Sequence, residues 1–99
     1  MKKMMKQAQK MQLEMEKAQA EIALLTAESS TGGGMVKAVA SGDGSIQSIT
    51  IDPDGIDPED VEMLQDMILT AVNDALQKVN ELASLRMSAV TGGMNLPGF

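Results

Sequence analysis

Several residue types that carry much of protein chemistry are missing from the 99-residue sequence. It contains no cysteine, no histidine, no tryptophan and no tyrosine, and its one aromatic residue is Phe99. The lack of cysteine excludes disulfides and thiolate chemistry, and the lack of histidine removes the commonest general base and metal ligand. No serine has an evident base beside it in a catalytic pattern. We therefore expect no enzymatic activity, no cofactor, no metal and no small-molecule substrate.

Long apolar runs are also absent. No stretch approaches the length of a membrane span, and the basic N-terminus lacks the apolar segment of a signal peptide because Lys6, Gln7 and Lys10 interrupt it. We expect a protein of the bacterial cytoplasm with no membrane partner.

The core has to be built without aromatic bulk. Met, Ile, Leu, Val and Ala are the apolar residues available, and 99 residues form one small domain with little buried volume. A second subunit would supply the missing buried surface, so the composition favours self-association.

The first part of the chain predicts one long helix. Residues 2–28 contain no glycine or proline and consist mostly of strong helix formers. Apolar residues recur in alternating steps of four and three, the heptad seam of a helix that packs against a partner helix. The seam consists of Met4, Ala8, Met11, Met15, Ala18, Ile22 and Leu25. At about 1.5 Å per residue this helix is about 40 Å long, so part of it should project from the domain.

Residues 35–52 predict a β-hairpin. Alternating apolar residues mark two strands, and the Gly-Asp-Gly of residues 42–44 suits a tight turn between them. The apolar residues are Val36, Ala38 and Ala40 on the first strand and Ile49 and Ile51 on the second. Because a two-stranded ribbon is marginal alone, it needs a helix or a partner's sheet against it. Residues before Gly34 could add a short third strand.

A second helix follows the hairpin. Asp57 is its predicted N-cap, Pro58 its first residue, and an apolar stripe of period 3.6 runs through residues 61–82. We expect the helix to end near residues 91–93. The prediction is an α+β fold: a single α-β-β(-β)-α domain over residues 1–91 with projecting helical arms, and a flexible Gly/Pro tail over residues 92–99.

Two patterns that resemble binding motifs have simpler explanations. Asp52, Asp54 and Asp57 do not match the spacing of an EF-hand loop, and turn formation and helix capping account for all three. The three glycines of residues 32–34 are not followed by the Gly-Lys-Ser/Thr of a phosphate-binding loop, and a strand rather than a helix comes next.

Charge is distributed unevenly along the chain. The net charge is -6, yet residues 1–12 carry four lysines and no acid, while residues 43–81 carry ten acids and one base. If two first helices come together in a dimer, their lysines form a cationic cluster that holds phosphates through counterion release. The alternative is a solvated helix face that keeps a Met-rich segment soluble.

The composition restricts which nucleic acid such a cluster would bind. The sequence offers no aromatic platform on which unpaired bases stack, and Arg86 is its single arginine, the residue type that most often contacts guanine. These features favour weakly specific binding to the phosphates of duplex DNA.

Five short segments occur in a characteristic order, from residue 4 to residue 99: MMKQAQKMQ, GGGMVKAV, ITIDP, NDALQKV and GGMNLPGF. Together they resemble the YbaB/EbfC family of small bacterial nucleoid-associated proteins, which organise the chromosome. No single segment is specific, but the ordered set is.

The resemblance implies a tweezer-like homodimer in the nucleoid, with sheets in the central body and double-stranded DNA between or against the helical arms. Carried over by position, the expected phosphate contacts are Lys2, Lys3, Lys6, Lys10 and Arg86. The heptad seam, together with Ile49 and Ile51, would pack the dimer and its arms. The alternative function is a protein-interaction module whose Met-rich arms grip a replication or recombination protein.

Overall fold

The computed structural model describes residues 2–92, which form two long helices and a three-stranded sheet. The elements in chain order are α1 (Lys2–Ala23), β1 (Thr26–Thr31), β2 (Val36–Ser41), β3 (Ile46–Ile51), a 3-10 turn (Pro53–Gly55) and α2 (Val61–Gly92). The molecule measures 69 × 24 × 16 Å. The predicted α+β fold is confirmed. Of the tail predicted over residues 92–99, Gly92 belongs to α2, and residues 93–99 lie outside the described residues.

The sheet is an antiparallel meander in the order β1-β2-β3. Ser29 of β1 lies opposite Ala38 of β2, which in turn lies opposite Ile49 of β3. An irregularity between Val39 and Ala40 shifts the register, so Ala40 faces Ile46. The hairpin and the suggested third strand are therefore both confirmed.

The first helix is shorter than the sequence predicts. It ends at Ala23, and the residues expected to form its last turns form β1 instead. In β1 the side chains of Ala27, Ser29 and Thr31 alternate toward the core, and the Thr31 hydroxyl donates a hydrogen bond to the Met67 carbonyl at 2.9 Å. These long-range contacts outweigh a helix propensity that is weak over Thr26 to Thr31. Leu25 consequently lies outside α1, partly buried against the core, and not on a helical seam.

The start of the second helix also differs from its prediction. Asp60, not Asp57, caps α2, and its carboxylate accepts a hydrogen bond from the Met63 amide at 3.1 Å. Asp57 accepts from the Glu59 amide at 3.0 Å and so forms a separate turn before the helix. Asp52 accepts from the Asp54 amide at 3.0 Å within the 3-10 turn. The interpretation of these aspartates as turn and cap residues holds, with the cap moved by three positions.

Small side chains form the core between α2 and the sheet. The residues that are fully shielded from solvent are Val36, Ala38 and Ala40 of β2 and Ala71, Ala75 and Val79 of α2, together with Ala18 of α1. Small residues on both surfaces let the helix approach the strand closely, so little cavity remains. The helix lies over β1 and β2 and barely contacts β3.

The end of α1 is fixed to the turn between β2 and β3. The Ser41 hydroxyl donates to the Ala23 carbonyl at 3.1 Å, and the Gly42 amide donates to the Leu25 carbonyl at 2.9 Å. Within the turn, the Ser45 hydroxyl donates to the Asp43 carboxylate at 2.6 Å, and this bond is the main reason that the pKa of Asp43 lies below its ordinary value. Hydrogen bonds thus hold both the end of α1 and the turn between β2 and β3. They set the direction in which α1 leaves the sheet.

Candidate nucleic-acid interface

The first helix leaves the sheet and packs along the distal half of α2, so the two form one arm. Part of the predicted seam provides this packing: Ala18 is buried, and Met11, Met15 and Ile22 are half-buried. Toward the N-terminus, Ala8 is exposed and Met4 is 73% exposed. The middle of the seam therefore packs the arm within one chain.

An open groove of about 700 Å³ runs between the two helices of the arm. Residues from α1 face α2 in reverse order, which makes the helices antiparallel. The lining residues are Gln7, Lys10, Met11, Glu14 and Lys17 of α1 and Arg86, Ala89 and Val90 of α2. Because α2 ends at Gly92, the residues of α1 before Gln7 lie at the free end of the arm.

Four lysines line one face of α1. Lys3, Lys6, Lys10 and Lys17 are separated by steps of three, four and seven residues, which places them within an arc of about 60° and along about 21 Å of helix. Lys2 lies beside this arc, about 40° from Lys6. All five side chains are exposed. We call the four lysines within the arc the lysine face.

Lys17 is the member of this face that the sequence analysis missed. Lys17 lies outside the basic segment of residues 1–12, but it continues the helical spacing of Lys3, Lys6 and Lys10. Lys10 and Lys17 line the same groove. The signal was present in the sequence, as a second periodic stripe beside the apolar one.

Acidic residues offset the inner half of this face. Glu14 and Glu21 lie within about 40° of Lys10, so lysine and glutamate alternate at residues 10, 14, 17 and 21. The Glu21 carboxylate accepts a hydrogen bond from Nε of Arg86 on α2 at 2.7 Å, and its Oε2 forms an ion pair with Nη2 at 2.5 Å. The outer half, around Lys3 and Lys6, has no acid on α1 within reach. Positive charge is therefore concentrated at the free end of the arm.

The opposite end of the molecule is acidic. The segment between β3 and the first turn of α2 carries Asp52, Asp54, Asp57, Glu59, Asp60 and Glu62. This segment lies beside the β1–β2 turn, since the Asp52 amide donates to the Met35 carbonyl at 2.8 Å, whereas α1 leaves from the other end of the strands. A polyanion is thus attracted to the arm and repelled by the body.

One flank of the body is apolar and uncovered. Ile49 points from the inner face of β3 but is 45% exposed because α2 does not reach it, and Leu69 on α2 is 59% exposed. Leu69 and the half-buried Leu76 lie on the β3 side of α2, since Lys78, on the opposite side of that helix, donates to the Glu28 carbonyl of β1 at 3.1 Å. We call Ile49, Leu69 and Leu76 the apolar flank. Exposed apolar residues that lie together in this way make the flank a candidate interaction surface.

The described residues offer neither a metal site nor a membrane span. Within residues 2–92, no three acidic side chains lie close enough together to hold a metal ion. No helix in this described part of the chain has the length and apolarity needed to cross a membrane.

Comparisons with known proteins agree with the fold and identify the family. The model of the YbaB/EbfC DNA-binding family matches residues 1–94. A nucleoid-associated protein of Ruminiclostridium cellulolyticum is 57% identical over 99 residues, covering 99% of this chain and 86% of that protein. Another, from Pelotomaculum thermopropionicum, is 55% identical over 98 residues, covering 99% and 93%. The crystal structure of an uncharacterized protein from Helicobacter pylori matches with a TM-score of 0.62 at 27% identity, covering 78% of this chain and 89% of that one. The chain belongs to the YbaB/EbfC DNA-binding family.

Proposed function

We propose that this protein is a non-enzymatic, nucleoid-associated homodimer that binds double-stranded DNA through phosphate contacts with weak sequence specificity. The observation that carries the proposal is the lysine face at the free end of a projecting arm. A duplex presents one negative charge per about 1.7 Å of its axis, so a face about 21 Å long meets more phosphates than its lysines need.

The contacts are assigned to the exposed lysines of α1. Lys2, Lys3, Lys6 and Lys10 are the predicted contacts, and Lys17 joins them by its position on the same face. Arg86, the fifth contact predicted from the sequence, has its charge neutralised by Glu21. Lysine ammonium groups act as point charges on phosphates and do not read bases, which is why weak specificity follows.

The apolar flank is the surface assigned to the homodimer. A second copy would cover Ile49 and Leu69 and pair with the edge of β3, so that a symmetric contact of this kind leaves neither β3 edge open. Both arms would then belong to one molecule. Two lysine faces binding one duplex gain from effective concentration, so the dimer binds DNA more tightly than a single arm does.

The alternative of a Met-rich grip on another protein has less support. Met11 and Met15, at the centre of the seam, are already half-buried in the packing of α1 on α2. The family model that the chain matches is that of a DNA-binding family. We therefore place DNA, and with it the nucleoid, ahead of a replication or recombination protein as the partner.

The test is the salt dependence of binding to a labelled duplex, measured by fluorescence anisotropy from about 50 to 200 mM salt. Ten assigned lysines in a dimer set an upper limit of about 9 on the magnitude of the log–log slope. Five to eight simultaneous phosphate contacts predict a slope of about -4 to -7, at about 0.9 per contact. Lys3→Gln with Lys6→Gln removes two contacts per arm and should reduce the magnitude of the slope by about 3.6 in a dimer. Lys3→Glu with Lys6→Glu should abolish binding.

The matched control is Lys37→Gln with Lys78→Gln, which changes the charge equally but on the sheet and on the part of α2 that covers it. We expect this variant to keep the wild-type slope. Absence of wild-type binding at the lowest salt would refute the proposal, and equal slopes for the arm and control variants would refute the assignment to the lysine face.

A further inference from the structure

The single arginine of the chain is held by a carboxylate across the arm. Glu21 Oε2 accepts a hydrogen bond from Nε of Arg86 at 2.7 Å and forms an ion pair with Nη2 at 2.5 Å, and so joins α1 to α2. The two side chains are 42% and 37% exposed, which leaves the pair open to solvent and to a ligand. A pair of this kind adds little to stability, because water screens it.

The pair lies at the inner end of the lysine face. Glu21 is one helical turn beyond Lys17 on the same side of α1, and Arg86 lines the groove with Lys10 and Lys17. Without the glutamate, Arg86 would extend the lysine face by one more cation. With Glu21 in place, the inner end of the lysine face is neutral. A phosphate that approaches this end releases no counterion, so the contact adds no binding free energy.

We propose that Glu21 sets the DNA affinity of the arm by withholding Arg86 from phosphate. This inference rests on the proposed function, since it concerns the same interface. A guanidinium offers a planar fork that fits a carboxylate and a phosphate equally well, so the two compete for one group. Glu21 wins the competition because it is already in place on the neighbouring helix. In the wild-type arm, Arg86 therefore joins the two helices and does not contact phosphate. Glu21 is the residue that holds Arg86 in this role.

The experiment is a double-mutant cycle of Glu21→Gln and Arg86→Gln, with affinity for a labelled duplex measured between 50 and 200 mM salt. Glu21→Gln should tighten binding and increase the magnitude of the slope by about 0.9 per arm, or about 1.8 in a dimer. A slope difference of about 1.8 means that the gain at 50 mM salt exceeds the gain at 200 mM by about twelvefold. Arg86→Gln alone should keep the wild-type slope, and the double variant should lose the steeper slope of Glu21→Gln.

Glu14→Gln is the matched control, because it removes the same charge from the same face without touching Arg86. It should raise affinity less, and its gain should be the same whether or not Arg86 is present. A purely structural role for the pair predicts something different: both single variants would then melt at lower temperature and bind DNA more weakly.

Two failures are distinguishable. If wild-type protein binds DNA and the effect of Glu21→Gln does not depend on Arg86, or equals that of Glu14→Gln, the inference about Glu21 is wrong and the proposed function stands. If neither the wild type nor Glu21→Gln binds at 50 mM salt, the proposed function is wrong, and this inference falls with it.

Discussion

Gly42 controls how the arm is joined to the body. Its amide bonds to the Leu25 carbonyl at 2.9 Å, and a Cβ atom at this position would lie 1.7 Å from the carbonyl oxygen of Ile22. That oxygen belongs to the backbone at the end of α1, so it cannot move aside without moving the helix. Glycine is required here for close approach, not for an unusual backbone angle.

Gly42→Ala should therefore destabilise the fold by about 3 kcal/mol, at the upper end of the usual cost of overpacking. The measurement is urea unfolding followed by circular dichroism. Gly33→Ala is the control, since Gly33 has φ +69° and no atom within 4 Å of an added Cβ. Its cost should be about 1 kcal/mol, from backbone strain alone. Equal losses in the two variants would show that α1 does not approach the turn this closely.

At the scale of elements, the sequence predicted most of the fold because periodicity is a local property. The heptad of α1, the alternation of β2 and the 3.6-residue stripe of α2 each depend only on the spacing of apolar residues. What it could not show is where α1 gives way to β1, since Thr26 to Thr31 contains residues of both helix and strand preference. Their conformation is decided by contacts with residues ten to forty positions away, such as that of Thr31 with Met67.

The candidate site was predicted to a similar degree. The lysines near the N-terminus were recognised from composition, and Lys17 was within reach of a periodicity argument. The ion pair between Arg86 and Glu21 could not be predicted, because the two residues lie 65 positions apart in the sequence. A pair of this kind exists only once the two helices have been placed side by side.

The contact between α2 and β2 depends on small side chains, and this leads to a prediction for the element as a whole. Ala75 is fully buried on the face of α2 that meets the sheet. Ala75→Leu adds three carbon atoms where no space exists and should cost about 1–3 kcal/mol of unfolding free energy. Ala20→Leu, on the exposed side of α1, is the matched control and should change stability by less than about 0.5 kcal/mol. Urea midpoints that shift alike in both would contradict the close packing of α2 on β2.

Across the whole molecule, charge and apolar surface are separated. The molecule is 69 Å long. The lysine face lies on the arm at one end, the acidic segment lies at the other end, and the apolar flank lies along one side of the body. A protein with net charge -6 can approach DNA only if its orientation is constrained. If the arm is the DNA contact, as we propose, repulsion at the acidic end and attraction at the arm would provide that constraint.

The separation of these surfaces allows assembly and DNA contact to be perturbed independently. Ile49→Asp and Leu69→Asp each place a charge on the apolar flank, which belongs to the sheet and the part of α2 that covers it, and not to the arm. If a second copy covers the flank, each variant should sediment as a monomer while the wild type sediments as a dimer, because a buried unpaired carboxylate is costly. Circular dichroism should remain unchanged, since neither side chain is part of the buried core.

The monomeric variants should also bind DNA differently. A monomer brings one lysine face instead of two, so its salt slope should have about half the wild-type magnitude and its affinity should fall, because the second arm no longer binds within the same molecule. Leu24→Asp is the control: Leu24 is 83% exposed, more than Ile49 or Leu69, but lies between α1 and β1 and off the flank. It should keep both the dimer and the slope. A variant that became monomeric yet retained the full slope would show that one arm makes every phosphate contact, and the dimer would then need another explanation.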